Sequence, residues 1–146
     1  MTTMQSGRST SNMTLTLVYL STLIVFLTLD AIWLGIVGGS YYSAVLGGLM
    51  LDRFRVVPAV LFYLLYISGI VMFVLPLSRH RGGRWAPAMY GACFGLCAYG
   101  TYDLTNHAVL RVWTWQLTVI DMAWGAFVTA AASLIGAWVE RRRTPV

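Results

Sequence analysis

Charge is scarce in this chain, and lysine is absent from it. Charged residues make up 10% of 146, and only five are acidic. A soluble domain carries roughly 25%, so an ordinary water-facing globule is excluded. All ten basic residues are arginines, and they lie in connections, tails or at helix ends. That is flanking charge rather than a phosphate-tracking face, so the net charge of +5 points to no nucleic-acid partner. Two cysteines build no disulfide framework. Cys93 and Cys97 stand one helical turn apart, a poor geometry for a bridge and, without further ligands, for a metal. The chain also lacks a phosphate-binding loop, a nucleophile elbow and a His-rich metal motif. No cofactor is predicted, no catalytic residue is assigned, and the metal question stays open.

What the chain has in abundance is apolar sequence: 58% of residues, with a mean hydropathy of +0.71. Four stretches stand out: Met13–Val37, Val56–Leu77, Ala86–Leu110 and Trp115–Val139. Each is long enough for a spanning helix, which needs about 20 residues. The expected fold is an all-α membrane protein, a bundle of four transmembrane helices forming one domain over residues 13–139. A mobile Ser/Thr-rich tail is expected over 1–12 and a basic cytoplasmic tail over 140–146. Arg8 before an apolar run imitates a signal peptide, but the run is too long for an h-region of about 7–15 residues. A retained first helix is expected.

Arginine placement predicts the topology. Arg8, the loop Arg79, Arg81 and Arg84, and the tail Arg141, Arg142 and Arg143 share one side, seven against Arg53, Arg55 and Arg111 on the other. The excess of positive charge inside places both termini in the cytoplasm. Trp85 and Trp138 then mark the inner interface; Tyr41, Tyr42, Trp113 and Trp115 mark the outer one. The connection from Gly38 to Arg55 is too apolar for a plain solvated loop and too short to span. It predicts a short interfacial or re-entrant element, with Asp52 and Arg53 paired in the headgroup region.

Three of the five acids lie inside the apolar stretches: Asp30, Asp103 and Asp121. A charge at mid-membrane costs about 2.5–3.5 kcal/mol on insertion scales. Counting from the outer ends at 1.5 Å per residue, all three fall about 10 Å below the outer surface. Tyr63 and Tyr66 of the second stretch reach a similar level. A shared polar site follows. Its densest part is the third stretch, where Gly91, Gly95, Tyr99, Tyr102, Asp103, Asn106 and His107 recur at helical period on one face. The Gly91–Gly95 pair is a GxxxG that admits another helix closely. Asp103, His107 and Arg111 form a ladder from the site toward the surface.

The fourth stretch carries a small-residue stripe, Gly125, Thr129, Ala132 and Gly136, below Asp121. Trp124 follows Asp121 as Trp33 follows Asp30, a repeated D-x-x-W. The two helices run in opposite directions, so Trp124 is expected to wall the site and Trp33 to anchor at the interface.

LDAIWLG, VPAVLFYLLYISGIVMFVL, GACFGLCAYGTYDLTNHAVL and TVIDMAWG together resemble a family of bacterial membrane proteins catalogued as domain of unknown function 2177. The similarity covers roughly Leu23–Trp138, and Ala98–Asn106 is its most specific piece. The resemblance implies four helices, a multi-pass place in the bacterial inner membrane, and retention of the acids and the Tyr63–Tyr66 pair. It implies no activity.

Three acids in a low dielectric cannot all stay charged without compensation. Some carry protons, or His107, Arg111, a metal ion or an amine-bearing ligand balances them. Three functions follow. The first is binding or transport of a small cation, proton or polar organic molecule. Asp30, Asp103 and Asp121 would exchange protons, Asn106 and His107 would line the route, and Tyr63, Tyr66, Tyr99, Tyr102 and Trp124 would form an aromatic wall. The second is an enzyme acting on a lipid or quinone-like substrate, with Asp103 and His107 as acid–base pair. The third is a structural or assembly role. The partners expected are the lipid bilayer, a small polar or cationic ligand, and a second copy or another membrane protein.

Overall fold

Proline and glycine punctuate a chain that is otherwise free to be helical. The computed structural model describes residues 3–51 and 53–143, with side chains from residue 12 onward except at Gly39. Of the tail expected over residues 1–12, residues 3–12 are helical in their backbone, and residues 140–143 of the expected basic tail continue the last helix; residues 1–2, the pairing of Asp52 with Arg53, and residues 144–146 fall outside the described residues. Among the described residues there is no strand.

Helix α1 runs Thr3–Trp33 and continues as a π-helix, Leu34–Tyr42. Gly35, Gly38 and Gly39 lie in this wider stretch, where weak helix propensity lets the spiral relax. A short α2, Ser43–Leu46, and a 3₁₀ turn, Gly47–Leu49, complete the first connection. Then α3, Val56–Gly69, a π-helical turn, Ile70–Val74, and α4, Leu75–Arg81, form one continuous rod. Pro76 explains the wide turn. It has no N–H for the Met72 carbonyl and its ring crowds that oxygen, and a π turn immediately before it relieves both faults.

Gly82 and Gly83, with φ of 68° and 96°, reverse the chain where a side chain would strain it. Helix α5, Ala86–Val109, opens on Pro87, whose missing N–H costs nothing in the first turn. Helix α6, Trp115–Arg143, is capped by Thr114, whose hydroxyl accepts from the Leu117 N–H at 3.2 Å.

Among the described residues, three helices are long and apolar enough to cross a membrane: Asn12–Gly38, Val56–Arg81 and Trp115–Arg143. At 24 residues α5 is long enough, yet it is not among them. Its row of Tyr, Asp, Asn and His lowers its hydropathy. Of that row, Asp103 is buried, Asn106 and His107 are half-buried, and Tyr102 is exposed.

Helix α5 packs most extensively on α6, and α6 next on α1. The α5–α6 seam is made of missing side chains. A methyl group at Gly91 would lie 2.6 Å from Ser133 Oγ and 2.8 Å from the Thr129 carbonyl. Gly136 on α6 leaves the same kind of room for Thr22 on α1. Phe26, Ile67, Ile70 and Val128 fill the fully buried centre. Outside, Leu15, Ile24, Leu65, Phe73 and Val119 are exposed, Leu65 at 77%. So inverted a surface is an apolar coat for lipid tails. Arg79 and Glu140 pair at 2.7 Å beside the Gly82–Gly83 turn, where Arg141 also reaches the Gly83 carbonyl.

Candidate functional site

The opposite end of the molecule from that turn holds a cavity of about 540 Å³. Two carboxylates enter it from facing helices, Asp30 of α1 and Asp121 of α6, each only 7% exposed. Asp30 accepts a 2.6 Å hydrogen bond from Tyr63 of α3 and a longer one, 3.4 Å, from the Trp124 indole. Asp121 accepts a short hydrogen bond from the Tyr42 hydroxyl, which in turn accepts from the Trp33 indole at 3.2 Å.

The arrangement is a crossed clasp. Trp33 lies one turn past Asp30, and Trp124 lies one turn past Asp121. The two indoles stack at 4.4 Å with planes only 8° apart. Each helix's tryptophan serves the other helix's aspartate, directly at Asp30 and through Tyr42 at Asp121. Every donor to the two carboxylates is a neutral phenol or indole. The one ion pair among the described residues, Arg79–Glu140, is at the other end. Burial and the neighbouring Asp121 push the Tyr42 phenol above its ordinary value.

Most of the rest of the wall is aromatic, with Leu34, Leu46, Met50 and Ala98 completing it. Tyr66, Tyr99, Tyr102, Phe62 and Trp113 all line it. Tyr99 owes its place to Gly125, because any β-carbon there would run into its ring. Tyr66 reaches Thr129 at 2.8 Å; since the Thr129 hydroxyl already donates to the Gly125 carbonyl, Tyr66 is the donor. Tyr102 meets Trp113 edge-on at 5.6 Å.

Of the residues singled out in the sequence, Asp30, Tyr66, Tyr99, Tyr102, Asp121 and Trp124 line the cavity, and Tyr63 reaches it through Asp30. Asp103 does not line it. It is 0% exposed, and neither carboxyl oxygen has a hydrogen-bond partner among the described residues. His107 is turned elsewhere: its Nδ1 bonds Thr118 at 3.0 Å and its ring packs on Trp115 at 4.3 Å. Asn106 is half-buried beside it. Asp103 and His107 therefore form no hydrogen-bonded acid–base pair. Cys93 and Cys97 are exposed. Among the described residues no three His, Cys, Asp or Glu side chains gather to hold a metal ion.

Three aromatic residues expected at the membrane interface stand in the site. Trp33 is half of the stacked pair, Tyr42 is the donor to Asp121, and Trp113 is buried with its indole on Thr118 at 3.1 Å. The one sequence signal for Trp33 was the repeated D-x-x-W. Tyr42 had none, because the π-helix that aims it has no distinctive pattern.

No curated protein and no solved structure matches this chain. Residues 15–138 match the model of a family described as "Predicted membrane protein (DUF2177)". That match covers most of the chain, including the cavity, the clasp and the glycine seam, and the chain belongs to this family of membrane proteins.

Proposed function

We propose that the cavity binds an organic cation. The chain would cross a bacterial inner membrane four times, with both termini in the cytoplasm and the cavity near the outer leaflet. One observation carries the reading: two buried carboxylates face a largely aromatic cavity, and all their partners are neutral. A cation supplies the charge that the protein withholds, and indole and phenol faces attract it further. The cavity size falls within the range of small-molecule sites, about 300–1,000 Å³. A bare metal ion suits it less, since so much of the wall is apolar. Helix α5 supports the fourth crossing: 24 residues at about 1.5 Å each span the hydrocarbon layer. The arginine excess at the Gly82–Gly83 end supports the orientation.

The test is direct. Purified protein in lipid nanodiscs is titrated with tetraethylammonium, and Trp33–Trp124 emission is followed. Saturable quenching is expected, weakened about 30-fold or more in Asp30→Asn or Asp121→Asn, as loss of a buried charge partner worth about 2 kcal/mol requires. Equal quenching in wild type and both variants would refute the site.

A further inference from the structure

Asp103 is the group this reading leaves unused. It has no exposed surface and no hydrogen-bond partner for either oxygen among the described residues. Helix register shows what it faces. Tyr99 of α5 lies against Gly125 of α6, and His107 of α5 bonds Thr118 of α6. Asp103 sits midway between these contacts, which sets it beside Asp121. The two carboxyls interact electrostatically. One of them opens on the cavity and the other is sealed behind it.

We propose that Asp103 and Asp121 hold a proton between them, and that a cation entering the cavity displaces it. Binding is then an exchange of one cation for one proton. This rests on the cavity being a cation site and adds the coupling that makes such a site useful for transport.

Two carboxylates side by side in a buried helix seam cannot both ionise unless a positive charge is near. The groups around the pair supply none. Asp30 faces Asp121 from α1, Tyr42 faces both acids from the π-helical segment, and Tyr99 and Tyr102 interact with them from α5. All are acids or phenols. His107, one turn along α5 from Asp103, is turned away from the pair, its Nδ1 on Thr118 and its ring on Trp115. Without ligand, the seam therefore keeps a proton. A cation beside Asp121 stabilises its ionised form, and the proton leaves to water at the cavity mouth. One positive charge enters as one departs, so the net charge of the site is unchanged. Asp103 makes the exchange possible. Asp121 can be ionised on the Tyr42 hydrogen bond, but two like charges beside each other in the seam do not both persist until a cation arrives.

The experiment uses the full chain in nanodiscs and tetraethylammonium, which has no proton of its own to lose. Titration calorimetry at neutral pH in two buffers of different ionisation enthalpy counts the protons released. About one per cation is expected, with affinity rising about tenfold per pH unit in the acid range. Asp103→Asn keeps the shape of the seam and removes one acid. It should still bind, with release falling toward zero and the pH slope flattening. Infrared spectra give a second readout: the protonated carboxyl stretch of the ligand-free protein should fade as the cation binds. Binding with no proton release, release unchanged in Asp103→Asn, or no carboxyl band in the ligand-free protein would each overturn the exchange and leave the cation site standing. Absence of binding at every pH would overturn both.

Discussion

A single methyl group on Gly95 tests whether α5 and α6 meet through bare backbone. A β-carbon there would fall on the Gly125 carbonyl and lie 2.5 Å from Thr129 Oγ1. The first obstacle is main chain and cannot rotate aside. The second is fixed by its own 2.6 Å bond to that carbonyl. Relief requires the helices to part, which loosens the seam from Gly91 to Tyr99. Overpacking of this kind costs about 1–3 kcal/mol. Alanine recovers up to about 1 kcal/mol through its better helix propensity. Because the obstacle is backbone, the upper part of the overpacking range applies, and Gly95→Ala is expected to destabilise by about 2 kcal/mol. Gly35 is the internal control, with nothing within 4 Å of its would-be β-carbon. Gly35→Ala should be neutral or slightly stabilising. Unfolding in mixed detergent micelles, followed by helical circular dichroism, reads both. If Gly95→Ala proves as stable as Gly35→Ala, the helices do not meet as described and the placement of Tyr99 and Asp103 falls with them.

Three further outcomes are expected. Tyr66→Phe should cost about 1 kcal/mol in the same unfolding assay, because Thr129 keeps its bond to Gly125 and only one buried hydrogen bond is lost. Glu140→Gln should change stability by less than about 1 kcal/mol, since the pair with Arg79 is exposed, at 58% on the arginine side. Alkaline titration at 295 nm should give Tyr42→Phe the same phenolate curve as wild type up to about pH 10, the ordinary phenol value. Its folded value is raised, so its contribution to stability is complete below that pH and is lost as pH climbs beyond it; a difference between the curves below pH 10 would contradict the buried bond to Asp121.

The parts of this molecule that obey α-helical periodicity were legible in its sequence. The Gly91–Gly95–Tyr99–Asp103 face follows one helix row, and that row is buried against α6 as its spacing predicts. Tyr63 reaches Asp30 from α3, while Tyr66 of the same pair bonds Thr129. Legibility ended where the period changed. Tyr42 follows Trp33 by nine residues, and at about 100° per residue an α-helix would put them on opposite sides. The π-helix Leu34–Tyr42 turns less per residue, and the two meet at 3.2 Å. No hydrophobic pattern announces that change. The position of each acid along its helix was readable, and Asp30 and Asp121 do meet at one cavity, but the rotation that separates Asp103 from it is a property of the packed seam.

The repeated D-x-x-W draws the two halves of the argument together. On one helix alone, an aspartate and a tryptophan one turn apart are unremarkable neighbours. On antiparallel helices the motif becomes reciprocal: α1 offers acid then indole toward the first connection, and α6 offers them away from it. The indoles overlap between the acids; Trp124 bonds across to Asp30, and Trp33 reaches Asp121 through Tyr42. The clasp fixes both carboxylates without neutralising either, because an indole or a phenol donates a proton without carrying charge. An arginine in the same place would have satisfied the acids permanently. A chain with ten arginines keeps every ion pair among its described residues away from this end. On the proposed reading, the acids are then balanced by a proton or by a cation, partners that can come and go. That is the physical distinction between a binding site and a structural polar layer.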